Sequence, residues 1–188
     1  MATQPHDHDR LVIGFTGRIG AGKTAAAEYL NAKYGFQYLR YSQVLSAWKA
    51  KDPQSKAHLQ EVGWDIMHGG MQAMLNARLI SAIETGRNCA VDGLRHPVDY
   101  ASLRGSFGSS FHLLYLEASP EKRWDRVRNR LSFKTVEEFT AADNHPVEQR
   151  IVLLRKDADE VIQNAGTLEQ MYSAIDSIIK GLILEGRI

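Results

Sequence analysis

The chain has 188 residues, one cysteine and a formal net charge of +1, and 44% of its residues are hydrophobic, enough for a sizeable buried core. This length suits one compact α/β domain. The near-zero charge argues against a nucleic-acid or anionic-membrane surface. No apolar run has the length of a membrane span or the layout of a signal peptide. We therefore expect a cytoplasmic protein, a monomer or homodimer, that acts without nucleic acid or membrane.

The chain divides into a short tail and one domain. Residues 1–9 are polar, with Pro5, His6 and His8 among acidic residues, which predicts a flexible N-terminal tail. Residues 10–188 contain no repeat, low-complexity linker or interior boundary, which predicts a single domain. The lone Cys89 lies in an apolar run, which predicts a buried, inert thiol rather than a nucleophile.

Short apolar segments alternate with helix-forming segments along the whole domain. The predicted strands are 10–16, 36–39, 88–92, 111–116 and 160–163. The predicted helices are 24–35, 42–50, 55–85, 97–103, 120–131, 146–156 and 167–184. A capping box at 135–138 predicts one further short helix. This alternation predicts a three-layer α/β/α fold around a five-stranded parallel sheet.

The segment 17–24 reads Gly-Arg-Ile-Gly-Ala-Gly-Lys-Thr and satisfies the P-loop pattern completely. Glycines in this pattern let backbone amides approach phosphate oxygens, Lys23 reaches the β- and γ-phosphates, and the Thr24 hydroxyl is a ligand for Mg²⁺. The segment lies between a predicted strand and a predicted helix, as a P-loop NTPase fold requires. We therefore expect a nucleoside triphosphate to bind here. The predicted phosphate contacts are Gly17, Ile19, Gly20, Ala21, Gly22, Lys23 and Thr24.

Polar residues follow other predicted strands, where ligands bind in open parallel sheets. Asp92 ends a strand, and its carboxylate would hold Mg²⁺ or its water, or orient the acceptor. Arg95 would bind a second substrate's phosphate through its planar guanidinium. Ser42 follows the second strand and joins Arg95 in the predicted acceptor site. A turn-capping Asp92 and a solvated Arg95 are the alternatives, and His96 before proline reads as a turn residue.

The predicted helix 55–85 is interrupted by Gly69 and Gly70. Such a pair is a kink or hinge, or a place where a ligand approaches the backbone closely. The kink is the plainer interpretation, while the ligand interpretation places both glycines in the wall of the acceptor pocket.

Arg123, Arg126 and Arg130 recur at steps of three and four residues and share one face of the predicted helix 120–131. Like charges on one face repel unless an anion joins them, and a transferring phosphoryl group is such an anion. We expect at least one of these arginines to contact phosphate, with Arg126 and Arg130 ahead of Arg123. A solvated helix face, helped by neighbouring acidic residues, is the alternative.

Four further segments resemble the nucleoside monophosphate kinase group of P-loop proteins, which includes dephospho-coenzyme A kinases and phage-type deoxynucleoside monophosphate kinases. Segment 91–97 looks like the Asp-Gly-x-x-Arg turn of these kinases, and segment 123–130 is similar to the arginine helix that leads into their lid. Segment 159–167 resembles the I-x-N-x-G-[ST] stretch beside the adenine. Segment 59–63 looks like the Leu-Gln-x-x-Gly stretch of the acceptor-binding region in deoxynucleotide kinases. The resemblance covers about residues 10–180.

The resemblance implies further site residues and regions. Asn164, Gly166 and Thr167 would lie near the adenine. A helical acceptor-binding region would span about 42–86, and a short lid would span about 131–145. Many of these kinases carry an acid or threonine and then an arginine after the second strand. This chain has Ser-Gln-Val-Leu-Ser-Ala-Trp there instead, which leaves the identity of the acceptor open.

The leading expectation is phosphoryl transfer, dependent on Mg²⁺ and ATP, to a nucleoside or deoxynucleoside monophosphate. Lys23, Asp92, Arg126 and Arg130 would be catalytic, and Thr24 and Asp92 would bind the metal. Two alternatives remain open: a dephospho-coenzyme A kinase, whose acceptor is a ribose hydroxyl, and a nucleotide-binding regulatory switch without acceptor turnover. The sequence does not distinguish ATP from GTP as the donor.

Overall fold

The structure, a computed structural model, describes residues 10–49, 56–128 and 133–185, so the predicted tail and Arg130 lie outside the described residues. The strands are β1 (Val12–Thr16), β2 (Gln37–Arg40), β3 (Cys89–Leu94), β4 (Phe111–Glu117) and β5 (Glu160–Gln163). The helices are α1 (Lys23–Tyr34), α2 (Tyr41–Lys49), α3 (Lys56–His68), α4 (Gln72–Ser81), α5 (Pro97–Phe107), α6 (Pro120–Val127), α7 (Val136–Asp143), α8 (Pro146–Ile151) and α9 (Leu168–Leu184). No helix in the described ranges has the length and apolar character needed to cross a bilayer.

The five strands form one parallel sheet in the order β2-β3-β1-β4-β5. From the central strand β1 the chain first builds β2 and β3 on one side, and then crosses to build β4 and β5 on the other. The direction of winding therefore reverses at β1. In open parallel sheets, ligands bind at this reversal, beyond the carboxyl ends of the strands.

A hydrophobic core lies on each face of the sheet. Within β1, Ile13 and Phe15 are buried in the core that contains α1 and α9 residues, whereas Val12 belongs to the core beneath α2 to α5. A strand that is apolar on both faces is expected when helices cover both faces. The predicted three-layer α/β/α fold with a five-stranded parallel sheet is confirmed.

The predicted helix 55–85 is in fact two helices, α3 and α4. Gly70 has a φ of +69°, and the Met71 amide donates to the Ile66 carbonyl oxygen at 2.9 Å, which ends α3. Both helices bury apolar residues in the same core, so the apolar spacing continued through the break and did not reveal it. The kink interpretation of the glycine pair is the one that the backbone supports.

Two other helix ends differ from the sequence expectation. α5 continues to Phe107, beyond the predicted end at residue 103, and a 3₁₀ turn occupies the next three residues. The predicted helix 146–156 is α-helical only to Ile151 and then tightens into a 3₁₀ turn, Val152–Asp157. Both differences concern the last turn of a helix, where assignments vary most.

Cys89 is fully buried at the start of β3. Burial raises the pKa of its thiol to about 12, which suppresses the nucleophilic thiolate. The predicted burial of this cysteine is confirmed.

Candidate functional site

The loop between β1 and α1 is the predicted P-loop, and close packing requires two of its glycines. A Cβ on Gly20 would lie 2.6 Å from the Arg123 carbonyl oxygen, and one on Gly22 would lie 2.6 Å from Nδ2 of Asn164. Both glycines also have positive φ angles, +80° and +107°, which glycine adopts without steric cost. α1 has no acidic residue in its own first turn, and the positive end of its dipole faces the loop.

Lys23 lies over this loop. Its Nζ donates to the carbonyl oxygens of Gly17 at 2.5 Å and Arg18 at 3.1 Å. Burial lowers the pKa of Lys23, and the nearby Glu148 carboxylate opposes that shift. The residue is half-buried and lines the cavity described below, so the side chain is held at the loop beside the space for a ligand.

The Asp92 carboxylate is buried beside the start of α1. Its Oδ2 accepts hydrogen bonds from the hydroxyl of Thr24 at 2.8 Å and the hydroxyl of Tyr38 at 3.2 Å. Nε of Arg40 lies 3.7 Å from the same oxygen. Burial and the Asp92 charge raise the pKa of Tyr38, so its hydroxyl stays a donor. Thr24 and Asp92, the two predicted metal ligands, are thus brought together.

This pair fits Mg²⁺ bound together with a nucleotide. Mg²⁺ at nucleotide sites is usually held by one or two carboxylates plus substrate phosphates, and Thr24 and Asp92 present a hydroxyl and a carboxylate beside the phosphate loop. Within the part of the chain that the structure describes, no group of three or more His, Cys, Asp or Glu side chains is placed to hold a metal ion.

A cavity of about 340 Å³ opens at this edge of the sheet. The predicted site residues that line it are Ile19, Gly20, Gly22, Lys23, Thr24, Ser42, Asp92, Arg95, Arg126, Asn164 and Gly166. Predicted site residues absent from this lining are Gly17, Ala21, Thr167, Gly69 and Gly70. The last two end α3 instead, so the structure does not bring the glycine pair to the cavity.

The charges around the cavity favour an anionic ligand. Lys23, Arg40, Arg95 and Arg126 line it, whereas Asp92 is the one acidic residue among the described residues that line it. Four cations facing one carboxylate suit phosphate oxygens, which accept charge-assisted hydrogen bonds from guanidinium and ammonium groups.

Arg126 on α6 reaches the segment after β5. Its Nη2 donates to the Asn164 carbonyl oxygen at 2.8 Å and to the Gly166 carbonyl oxygen at 3.4 Å. Its Nη1 is buried and lacks a hydrogen-bond partner among the described residues. Native proteins rarely leave a buried donor of this kind without a water molecule or a ligand. Burial lowers the pKa of Arg126. An unused donor on a cavity-lining arginine fits the predicted phosphate contact.

The predicted adenine-proximal segment lies at the wall of the same cavity. Asn164 is buried, and its Nδ2 donates to the Ala21 carbonyl oxygen at 2.8 Å, which ties it to the P-loop. Gly166 lines the cavity. Thr167 instead caps α9 by exchanging hydrogen bonds with Gln170.

Arg95 stands on a turn that Asp99 holds in place. The Asp99 carboxylate accepts from the backbone amides of Arg95 at 3.0 Å and His96 at 2.9 Å, and from Nε2 of Gln72 at 2.5 Å. Burial raises the pKa of Asp99, although these donors oppose the shift. His96 caps α5, where its Nδ1 accepts from the Val98 amide at 3.1 Å. The turn interpretation of His96 is confirmed.

The family described as an AAA domain matches residues 13–145, more than half of the chain. The chain belongs to the AAA domain family. Comparison with curated proteins gives no match.

Several solved kinases share the fold of this AAA domain. A shikimate kinase from Acinetobacter baumannii in complex with shikimate has 18% identity and a TM-score of 0.60, over 93% of this chain and 95% of that chain. A shikimate kinase from Bacteroides thetaiotaomicron has 16% identity and a TM-score of 0.63, over 90% and 98%. A gluconokinase from Sinorhizobium meliloti has 13% identity and a TM-score of 0.56, over 93% and 97%. Identities this low show the shared fold alone.

Arg123 has a structural place in this AAA domain. It is 2% exposed, and its guanidinium donates to both carboxylate oxygens of Asp143 at 2.5 and 2.9 Å and to the Ile19 carbonyl oxygen at 3.1 Å. Arg18 pairs with the same Asp143 at 2.9 Å. The described part of the predicted lid is therefore anchored to the P-loop, and Arg123 is occupied by that anchoring. These contacts agree with the expectation that Arg126 comes ahead of Arg123 as a phosphate contact.

The sequence analysis assigned no role to Arg40, which lines the cavity, or to Glu148. Arg40 ends β2, so the rule that ligands bind at the carboxyl ends of strands was signal enough to identify it. Glu148 gave no such signal, because it lies in an ordinary polar helix far along the chain. It is 0% exposed, and it contacts both the Ile19 amide of the P-loop and Arg95.

Proposed function

We propose that this AAA domain transfers the γ-phosphoryl group of ATP, with Mg²⁺, to a nucleoside or deoxynucleoside monophosphate. One observation carries the proposal: the Thr24 hydroxyl and the Asp92 carboxylate meet at 2.8 Å beside the phosphate loop. Around them the cavity is lined by four cationic side chains. A triphosphate with its metal is the ligand that this combination suits.

The donor half of the cavity would hold the triphosphate. The P-loop amides and Lys23 would bind the phosphates, and Thr24 and Asp92 would hold Mg²⁺. When bound, Mg²⁺ neutralises charge on the phosphates and on the group in transfer. Arg126 would donate from Nη1 to the moving group, where a preorganised donor stabilises the charge that develops.

The acceptor half would lie across Asp92 from the loop. Arg40 and Arg95 would bind the acceptor's anionic group, and Ser42 would contact it by its hydroxyl; all three line the cavity. Asn164 and Gly166 would border the adenine of the donor. Phosphoryl transfer depends mainly on positioning and charge stabilisation, so these residues can support it without a dedicated base.

A second candidate is transfer to a hydroxyl of a small carboxylic acid. The similarity in fold to a shikimate kinase in complex with shikimate and to a gluconokinase favours it, and a guanidinium pair binds carboxylate as well as phosphate. Transfer to the ribose hydroxyl of dephospho-coenzyme A, and a nucleotide-binding switch that consumes no acceptor, are the third and fourth candidates.

An acceptor screen tests the proposal. Purified protein, Mg²⁺ and ATP meet each ribo- and deoxyribonucleoside monophosphate, dephospho-coenzyme A, shikimate and gluconate in separate reactions, with Lys23→Ala as the blank. A nucleoside diphosphate formed only by the wild type supports the proposal. Phosphorylation of shikimate, gluconate or dephospho-coenzyme A instead would make that compound the acceptor in place of a nucleoside monophosphate. Bound ATP with no acceptor consumed favours the nucleotide-binding switch.

A further inference from the structure

Glu148 joins the two halves of the cavity through its two carboxylate oxygens. Oε2 accepts a hydrogen bond from the Ile19 amide of the P-loop at 3.1 Å, and Oε1 forms an ion pair with Nη1 of Arg95. Burial lowers the pKa of Lys23, and the charge of Glu148 offsets part of that shift. One side chain thus touches the donor loop and an arginine of the acceptor half.

The burial of this pair is unequal. Glu148 has no exposed side-chain surface, whereas 31% of the Arg95 side chain is exposed. A buried carboxylate is costly unless it is paired and hydrogen-bonded, so Glu148 is fixed where it is. An arginine held at one terminal nitrogen keeps further donors for a planar anion, and Arg95 lines the cavity where such an anion would bind.

The segment that carries Glu148 is itself anchored to the loop. Asp143, five residues earlier, pairs with Arg18 of the P-loop at 2.9 Å and with Arg123 of α6 at 2.5 Å. His145 caps α8, with its Nδ1 accepting from the Val147 amide at 3.3 Å. Glu148 therefore stands on a segment that is attached to the P-loop at Arg18 and to α6 at Arg123.

We propose that Glu148 is a positioning residue for phosphoryl transfer. It holds the Arg95 guanidinium in the orientation that binds the acceptor's anionic group, and it holds the Ile19 amide in the P-loop. Donor and acceptor thereby share one rigid support. This inference rests on the proposed function and names a residue that acts through Arg95 rather than on the reacting atoms.

Steady-state kinetics with the acceptor found in the screen test it. Glu148→Gln removes the charge and keeps the size, and we expect the acceptor KM to rise about tenfold or more, the scale of losing a supporting partner of a site residue. We expect the double variant Arg95→Met/Glu148→Gln to have the same acceptor KM as Arg95→Met alone, because Glu148 then has no guanidinium to orient. Glu84→Gln is the matched control, because it breaks an exposed pair with Arg87 before β3.

Two results would overturn the positioning role. One is an acceptor KM that rises equally with and without Arg95, which indicates a general structural effect. The other is an unchanged or lowered KM in Glu148→Gln, since a lowered value means that Glu148 competes with the acceptor for Arg95. If the wild type transfers phosphate to no acceptor, it is the proposed function that fails.

A second variant covers the case in which Glu148→Gln does not fold. Arg95→Lys keeps the positive charge but lacks the planar fork that Glu148 orients. We expect it to raise the acceptor KM with little change in melting temperature or in the KM for ATP. An acceptor KM equal to that of the wild type in this variant overturns the proposal.

Discussion

The Thr24 hydroxyl donates to Oδ2 of Asp92 at 2.8 Å, although the two residues are 68 positions apart in the chain. Thr24 lies in the first turn of α1, directly after the P-loop, and Asp92 pairs in register with Phe15 of β1 across the parallel β1–β3 ladder. Strand pairing therefore delivers the carboxylate to the edge of the sheet where the loop presents the hydroxyl. The proposed chemistry depends on this meeting.

Replacing Asp92 by asparagine tests that dependence. The amide keeps the shape but loses the charge that suits Mg²⁺, so we expect kcat to fall by about 10²–10³, as when one electrostatic contact to a transition state is removed. Initial rates at several Mg²⁺ concentrations measure the effect. Asp125→Asn is the control, because that carboxylate is 56% exposed on α6. Equal kcat values for wild type and Asp92→Asn would contradict the metal role.

Arg126 and Arg128 form a matched pair on α6. Arg126 lines the cavity and has a buried Nη1 that finds no hydrogen-bond partner in the described part of the chain, whereas Arg128 is 54% exposed and pairs with Asp125 at 3.5 Å. We expect Arg126→Met to lower kcat by about 10²-fold or more, the scale of a lost transition-state donor, and Arg128→Met to leave it near wild type. Acceptor-dependent ADP formation is the assay. A similar loss of kcat in Arg126→Met and Arg128→Met would mean that the effect comes from net charge rather than from the position of Arg126.

Arg123 is expected to affect stability before activity. Arg123→Met removes the two-bonded partner of the Asp143 carboxylate and leaves it paired with Arg18. Breaking a buried pair costs about 3–5 kcal/mol when the remaining charge is left uncompensated, so we expect a loss of up to that size. Equilibrium unfolding in urea measures the change in the free energy of unfolding. Replacing Asp143 by leucine in the same chain removes the carboxylate that has lost Arg123 and is expected to recover part of the loss. A wild-type unfolding midpoint in Arg123→Met would show that the pair contributes little.

Sequence patterns located the donor half of the site because its signals are local. The P-loop pattern occupies eight consecutive positions, and Asp92 follows from the rule about strand ends, so neither needed tertiary information. For the arginine helix, the spacing predicted that Arg123 and Arg126 share one face. It did not predict that Arg123 is buried and that Arg126 lines the cavity, because those differences arise from packing.

The acceptor half depended on contacts that periodicity does not encode. Glu148 lies 53 positions from Arg95, and no pattern around it distinguishes it from a solvated helix residue. The Gly69–Gly70 pair left both interpretations open, because a glycine pair at the end of a helix looks the same in sequence whether it ends the helix or lines a pocket.

The cluster around Asp176 predicts a pH dependence of stability. Burial acts to raise the pKa of Asp176, but hydrogen bonds from Lys33, Tyr34 and Tyr29 outweigh it and hold the pKa at about 2. Since the unfolded value lies near 4, these contacts stabilise fully above about pH 4 and lose their effect as the pH falls through about 2.

Unfolding midpoints of wild type and Asp176→Asn between pH 6 and pH 2 check this prediction. We expect the variant to be less stable near neutral pH and the difference to shrink steadily below about pH 4, where the Asp176 carboxylate of the unfolded chain takes up its proton, until the folded carboxylate is protonated near pH 2. A difference that stays constant over the whole range would mean that the Asp176 carboxylate is not held charged by its neighbours.

The most direct test of the central claim follows the γ-phosphoryl group itself. ATP labelled in that group is mixed with the protein, Mg²⁺ and the acceptor, and the label is traced by chromatography in wild type and in Lys23→Ala, which lacks the ammonium at the phosphate loop. The account predicts that the label moves from ATP to the acceptor in the wild type and stays in ATP in the variant. Tight ATP binding by the wild type, with label released only as inorganic phosphate or not at all, would contradict it.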